Sequence, residues 1–202
     1  MRNTKIRVMC ECAVMVALAF ALSCIKLFPM PLGGSVTLAS MLPIMLIAVR
    51  HGTAVGVGTA FIYSLAQVAQ ALIEGDVFPY CQTLPILLLC LLLDYLVPFT
   101  ALGLAGIFKE KRVGKNPEIS AYLGIVLAVF IRFVCHLVTG IVIWGQWAEG
   151  MSPFVYSLLY NGGYLGVDLI ICLIAAIALM RTNVIRGLLG LQSSAETAGF
   201  DN

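Results

Sequence analysis

Apolar residues run along this chain in long blocks. They show neither the alternation of a half-buried strand nor the one-sided stripe of a surface helix. The blocks predict six membrane-crossing helices, near residues 8–27, 38–49, 53–73, 82–107, 119–143 and 154–180. The second is short enough to be tilted or half-spanning, because a full crossing takes about 20 residues. Turn signals fall between the blocks: Pro29, Pro31, Gly33 and Gly34, then Gly75-Asp76 and Pro79, then Lys109 to Pro117, then Gly145 to Pro153. No internal period points to repeats. The expected fold class is therefore an all-α integral membrane protein. Residues 1–190 are read as a single six-helix membrane domain, and 191–202, polar and rich in small residues, as a disordered cytoplasmic tail.

Composition narrows the class. Of 202 residues, 61% are hydrophobic and 11% are charged, against roughly 25% charged in soluble domains. Lipid, not water, suits such a surface. The charges are also sorted. With the N-terminus inside, one set of helix ends carries Arg2, Lys5, Arg7, Arg50, Lys109, Lys111, Arg112, Lys115, Arg181 and Arg186, which is ten of the twelve basic residues. Lys26 stands at an outer end, and Arg132 falls inside a span. Basic residues are retained on the cytoplasmic side, so this bias places both termini there. The first apolar run is too long for a signal-peptide core and is expected to be retained.

Several chemistries find no support in the chain. There is no GxxxxGK[ST] loop for nucleotide phosphates. The seven cysteines form no CxxC pair and read as small packing residues, so no disulfide and no metal site are expected. The two histidines, His51 and His136, lack a spaced partner, and neither HExxH nor paired aspartates in adjacent spans occur. The chain is expected not to be an enzyme, to carry no cofactor and to bind no nucleic acid.

Ionisable groups inside a span are costly and mark function by default. Here they are Asp94, Arg132, His136 and Asp168, with Glu11 near the inner boundary. Arg132 and His136 share a helix face, as do Asn161, Tyr164 and Asp168. Arg132 with Asp168 is read either as a structural ion pair or as part of a site, while Asp94 and His136 are read as ligand contacts. Trp144, Trp147, Phe154, Tyr156, Tyr160 and Tyr164 crowd the outer ends of the last two spans. Some belong to an interfacial belt. An aromatic cage beside a buried carboxylate is also what a flat organic cation requires. In the first span, Cys10, Ala13, Ala17, Ala21 and Cys24 form a small-residue stripe, which on its own reads as intramolecular packing.

Four segments carry a family resemblance: MPLGGSVTLASMLPIMLIAVRHG at 30–52, LLLDYLVPFTALGLAGIF at 91–108, RFVCHLVTGIVIWGQWAEGMSPFVYSLLYNGGY at 132–164, and the AxxxA stripe of the first span. With these the chain resembles the thiamine-specific S-components of energy-coupling-factor (ECF) vitamin transporters. The resemblance implies a six-helix bundle in the bacterial cell membrane that binds thiamine near its outer face. It implies partners too: a transmembrane coupling protein and two ATPase subunits, with Ala13, Ala17 and Ala21 on the docking stripe. It places substrate binding on Asp94, Tyr95, His136, Trp144, Tyr156 and Asn161, with Trp147, Tyr164 and Tyr80 as further candidates. The sequence departs from some members in three ways. Asp94 stands where they have Glu, the loop KLFPMPLGG lacks a tryptophan, and only Tyr80 is available for a tyrosine ahead of the acidic pair. Two alternatives stay open: another vitamin or a thiamine precursor as ligand, and a stand-alone proton-coupled thiamine transporter.

Overall fold

A computed structural model describes residues 2–30, 33–75, 77–111 and 116–191. Among the described residues, five helices are long and apolar enough to cross a membrane. They are α1 (Arg2–Ser23), α3 (Thr53–Glu74), α4 (Leu84–Glu110), α5 (Pro117–Val142) and α6 (Pro153–Met180). A short helix, α2 (Leu42–His51), lies between the first two, and another, α7 (Asn183–Leu189), follows the last. The chain is an all-α membrane protein apart from one two-stranded hairpin. Asp76, Arg112, Lys115 and the predicted tail from 192 onward lie outside the described residues.

The helix starts follow local chemistry. Proline stands in the first turn of α4, α5 and α6, where its missing N–H costs nothing. Asn116 caps α5 by accepting from the Glu118 N–H at 2.9 Å, and Ser152 caps α6 by accepting from Val155 at 3.3 Å. Gly75 ends α3 in the left-handed conformation (φ 71°) that favours glycine.

Between α1 and α2 the structure corrects the sequence reading. The first helix stops at Ser23 rather than Leu27. The chain then forms β1 (Lys26–Pro29), paired antiparallel with β2 (Ser35–Thr37), and helix resumes only at Leu42. Lys26 pairs with Glu74 at the end of α3 (2.8 Å). Thr37, by contrast, bonds Asp168, fifteen residues into α6 and so about 22 Å along it. The hairpin thus dips into the bundle, and α2 continues the passage. At ten residues, or about 15 Å, α2 reaches only half the roughly 30 Å hydrocarbon core. Its residues Leu42 to Val49 are all buried, as expected of a helix apolar all round.

Helix α1 is peripheral: 11% of its apolar window is buried, against 39% for α3, α4 and α5. Its small-residue stripe does not pack inward. Cys10, Ala13, Ala17, Ala21 and Cys24 are all exposed, and Ala19 faces the core instead. Ala13 and Ala17 line an apolar groove with Val55, Ile62 and Ala66 of α3.

Helix α4 is irregular where it matters. Pro98 cannot donate to the carbonyl four residues back, that of Asp94, and its ring crowds that carbonyl. The backbone over Leu91–Leu96 is wound as a π-turn instead, a feature found often at functional sites. Further along, a β-carbon on Gly103 would collide with the backbone of Val57 and Gly56, so glycine permits the α3–α4 crossing.

The basic residues gather at one end of the bundle. Glu11 accepts from Arg7 (3.0 Å), Arg50 (2.8 Å) and His51 (2.7 Å). Lys109 reaches the carbonyls of Val49 and Leu189, and Arg186 pairs with Glu118 at 2.7 Å. These contacts tie α1, α2, α4, α5 and α7 together at the end away from Glu74.

Candidate binding cavity

At the other end a cavity opens among the hairpin, the end of α1, α3, α4, α5 and α6. Its empty space is about 950 Å³ including the open mouth, at the upper end of the range for small-molecule pockets.

Asp94 is the centre of the polar network. It is 7% exposed and sits in the π-turn of α4. Its Oδ1 accepts from the Thr139 hydroxyl and from His136 Nδ1 at 3.0 Å, and its Oδ2 accepts from the Trp144 indole N–H at 3.1 Å. Arg132 Nε donates to His136 Nε2 at 3.3 Å. That bond makes Nε2 an acceptor, so the imidazole proton sits on Nδ1 and faces the carboxylate. The Arg132 guanidinium also lies over the Phe99 ring, 4.2 Å from its centroid.

Asn161 holds the α5–α6 seam. It donates to the His136 carbonyl (3.0 Å) and to Ser157 Oγ (3.1 Å), and Ser157 donates to the Leu137 carbonyl (2.9 Å). Gly140 makes this approach possible, because a β-carbon there would overlap Ser157 and Asn161. Asp168 lies deeper. It accepts the Thr37 backbone N–H at 2.9 Å and the Thr37 hydroxyl at 3.3 Å. Arg132 and Asp168 line the same cavity, but no ion pair joins them. Thr37 meets the carboxylate's need for donors, while Arg132 is taken up by His136 and Phe99.

Tyr95, Trp144, Tyr156, Tyr160 and Tyr164 all line the cavity. Tyr156 stacks on Tyr160 with centroids 5.7 Å apart, and Tyr160 meets Tyr164 edge-on at 5.8 Å. The Tyr160 hydroxyl accepts from the Gly34 N–H at 3.1 Å, fastening the hairpin turn to α6.

The structure therefore gathers Asp94, Tyr95, His136, Trp144, Tyr156, Asn161 and Tyr164 around one space. It leaves Trp147 and Tyr80 behind the wall. Trp147 packs on Trp144 (5.6 Å) and on Tyr80 (5.5 Å) without lining the cavity. Sequence reasoning missed Thr139, Phe99, Gln67, Gln70, Glu74 and Ser23 as lining residues. Thr139 was within reach, since it lies three residues from His136 on the same face. The others are ordinary residues in an apolar run. Chemically the site offers ring faces, the buried carboxylates of Asp94 and Asp168, the Arg132 guanidinium and neutral donors. Among the described residues no group of three metal-ligating side chains forms.

Comparison with known proteins adds independent findings. A family described as "Thiamine transporter protein" matches residues 9–186. A "Thiamine transporter ThiT" of Bacillus subtilis (strain 168) is 34% identical over 182 residues, covering 85% of this chain and 89% of that protein. Another, from Lacticaseibacillus paracasei, is 28% identical over 173 residues, covering 80% and 81%. A solved structure of ThiT from Listeria monocytogenes superposes with a TM-score of 0.69 at 22% identity, covering 91% of this chain and 98% of that one. That likeness supports the fold.

Proposed function

This chain belongs to the thiamine transporter protein family, and from that premise we propose that the Asp94 cavity is where thiamine is captured and that an ECF module drives its passage inward. The family is one of transporters, not enzymes. The chain is a multi-pass protein of the bacterial cell membrane and serves as the substrate-binding component of thiamine uptake.

One observation carries the assignment of the site. A buried carboxylate is held by three donors beside the indole of Trp144, in a cavity lined by four tyrosines. An ionised carboxylate has about four acceptor positions, and three donors leave its charge in place. Such a charge in an apolar bundle attracts a cation, and ring faces stack on a flat one. Thiamine carries a flat cationic thiazolium and a pyrimidine. In this reading Asp94 is the counter-ion, Trp144 and the Tyr95–His136 side supply ring contacts, and Tyr156 and Asn161 fix the seam around the ligand.

The ECF coupling protein and its two ATPases are proposed as partners on two grounds. The sequence resembles the S-components of that system, and the stripe of Ala13, Ala17 and Ala21 faces outward rather than into the bundle. Close helix approach in lipid uses such stripes. The basic end is placed in the cytoplasm, with both termini, by the retention of positive charge. Uptake into proteoliposomes decides the coupling mode. Transport should require the coupling protein, its ATPases and internal ATP. Uptake by the chain alone under an imposed pH gradient would establish the proton-coupled alternative instead.

A further inference from the structure

Helix α3 contributes a line of polar side chains to the cavity that the capture of a cation does not use. Gln67, Gln70 and Glu74 lie on one face of α3, and Ser23 of α1 and Lys26 of β1 lie against them. Their hydrogen bonds run in one direction. Glu74 pairs with Lys26 through Oε2 (2.8 Å) and accepts from Gln70 Nε2 through Oε1 (2.9 Å). A carboxylate only accepts, so Gln70 must turn its amide nitrogen toward Glu74 and its oxygen away. That oxygen accepts from the Ser23 hydroxyl at 2.8 Å and from Gln67 Nε2 at 3.1 Å, and Gln67 Nε2 also lies 3.0 Å from Ser23 Oγ. The amide nitrogen of Gln67 is thus turned toward Gln70 and Ser23, its orientation is fixed by the charge two turns away, and its amide oxygen has no hydrogen-bond partner among the described residues.

The position of that oxygen matters. Gln67 lies seven residues before Glu74 on α3, or about 10 Å further in from the mouth. Gln67 is half-buried and lines the cavity, so its amide oxygen is open to a donor on whatever fills that space. The ladder also neutralises Lys26, so this wall offers a ligand an acceptor and not a free cation. We infer that Gln67 is a specificity-determining residue, its amide oxygen accepting a hydrogen bond from an uncharged O–H or N–H donor of the bound ligand. The inference rests on the thiamine reading of the cavity. Thiamine has two such donors, the primary hydroxyl of its side chain and the exocyclic amino group of its pyrimidine.

The test is a set of binding titrations on purified full-length protein, wild type and Gln67→Leu. The ligands are thiamine, an analogue with the hydroxyl replaced by hydrogen, and one with the amino group replaced by hydrogen. Gln67→Leu should weaken thiamine about tenfold, the usual scale for one lost hydrogen bond in a desolvated site. It should leave unchanged the affinity for whichever analogue lacks the recognised donor, and that analogue identifies the group. Gln67→Met, closer in shape, serves if the leucine variant does not fold. Equal affinity of wild type and variant for thiamine, or one common loss across all three ligands, would overturn the inference. Failure of the wild type to bind thiamine would instead overturn the reading of the cavity on which it rests.

Discussion

The indole N–H of Trp144 donates to Oδ2 of Asp94 across 3.1 Å. The bond joins the turn after α5 to the π-turn of α4, fifty residues apart in sequence. It fixes the orientation of a large aromatic ring by the charge that the same cavity presents. Ring face and carboxylate therefore act as one unit, and a substitution at either should disturb both.

Trp144→Ala is expected to weaken thiamine by about 1–3 kcal/mol, the scale of one lost stacking ring, and Trp147→Ala by much less. Trp144 lines the cavity, and Trp147 supports it from behind. Trp144→Phe should fall between, keeping a ring but losing the bond to Asp94. Titration of the three variants checks the order. Equal losses at 144 and 147 would mean that the pair acts only by packing.

Charge at Asp94 separates two roles. Asp94→Asn keeps shape and some hydrogen bonding but deletes the counter-ion. It should cost thiamine about 2–5 kcal/mol and affect a neutral analogue, with carbon in place of the thiazolium nitrogen, much less. Asp94→Glu should be milder. The ratio of the two affinities is the readout. A common loss for both ligands would leave Asp94 with a structural role and move the counter-charge to Asp168, which lines the same cavity.

Gly140 marks where α5 and α6 must touch. Gly140→Val places a branched side chain where Ser157 and Asn161 now stand, breaking the bond from Asn161 to the His136 carbonyl. Overpacking of this kind costs about 1–3 kcal/mol. Thiamine affinity and thermal stability should both fall, whereas Gly163→Ala, in open space on α6, should change neither. A Gly140→Val protein with normal affinity would show that the seam does not shape the cavity.

Much of this site is legible in the sequence because a charge inside an apolar run stands out. Asp94, His136 and the aromatic cluster of α5 and α6 announce themselves in that way. The hairpin does not. Its strands, KLFP and SVT, are too short to show alternation. The unknown hairpin also explains the open question over Arg132 and Asp168. Asp168 draws its donors from Thr37, one of them the backbone N–H, 131 residues away, and a backbone donor leaves no mark on side-chain identity. The outward turn of the α1 stripe was equally hidden, since small residues suit an internal contact as well as an external one.

That stripe gives a separable prediction. Ala13→Trp or Ala17→Trp should leave thiamine binding intact and abolish uptake in cells, because a bulky ring blocks close helix approach far from the cavity. Normal transport by either variant would return the stripe to lipid and favour a mechanism without a docked partner.

The most direct measurement is a fluorescence titration of the detergent-purified chain with thiamine, without nucleotide or partner proteins. Trp144 and Trp147 are the chain's two tryptophans, so a ligand stacked at Trp144 should quench the signal. Saturable one-to-one quenching is expected in the absence of ATP, lost or greatly weakened in Asp94→Asn. Binding that appears only with nucleotide, or an Asp94→Asn protein that titrates like the wild type, would contradict that expectation.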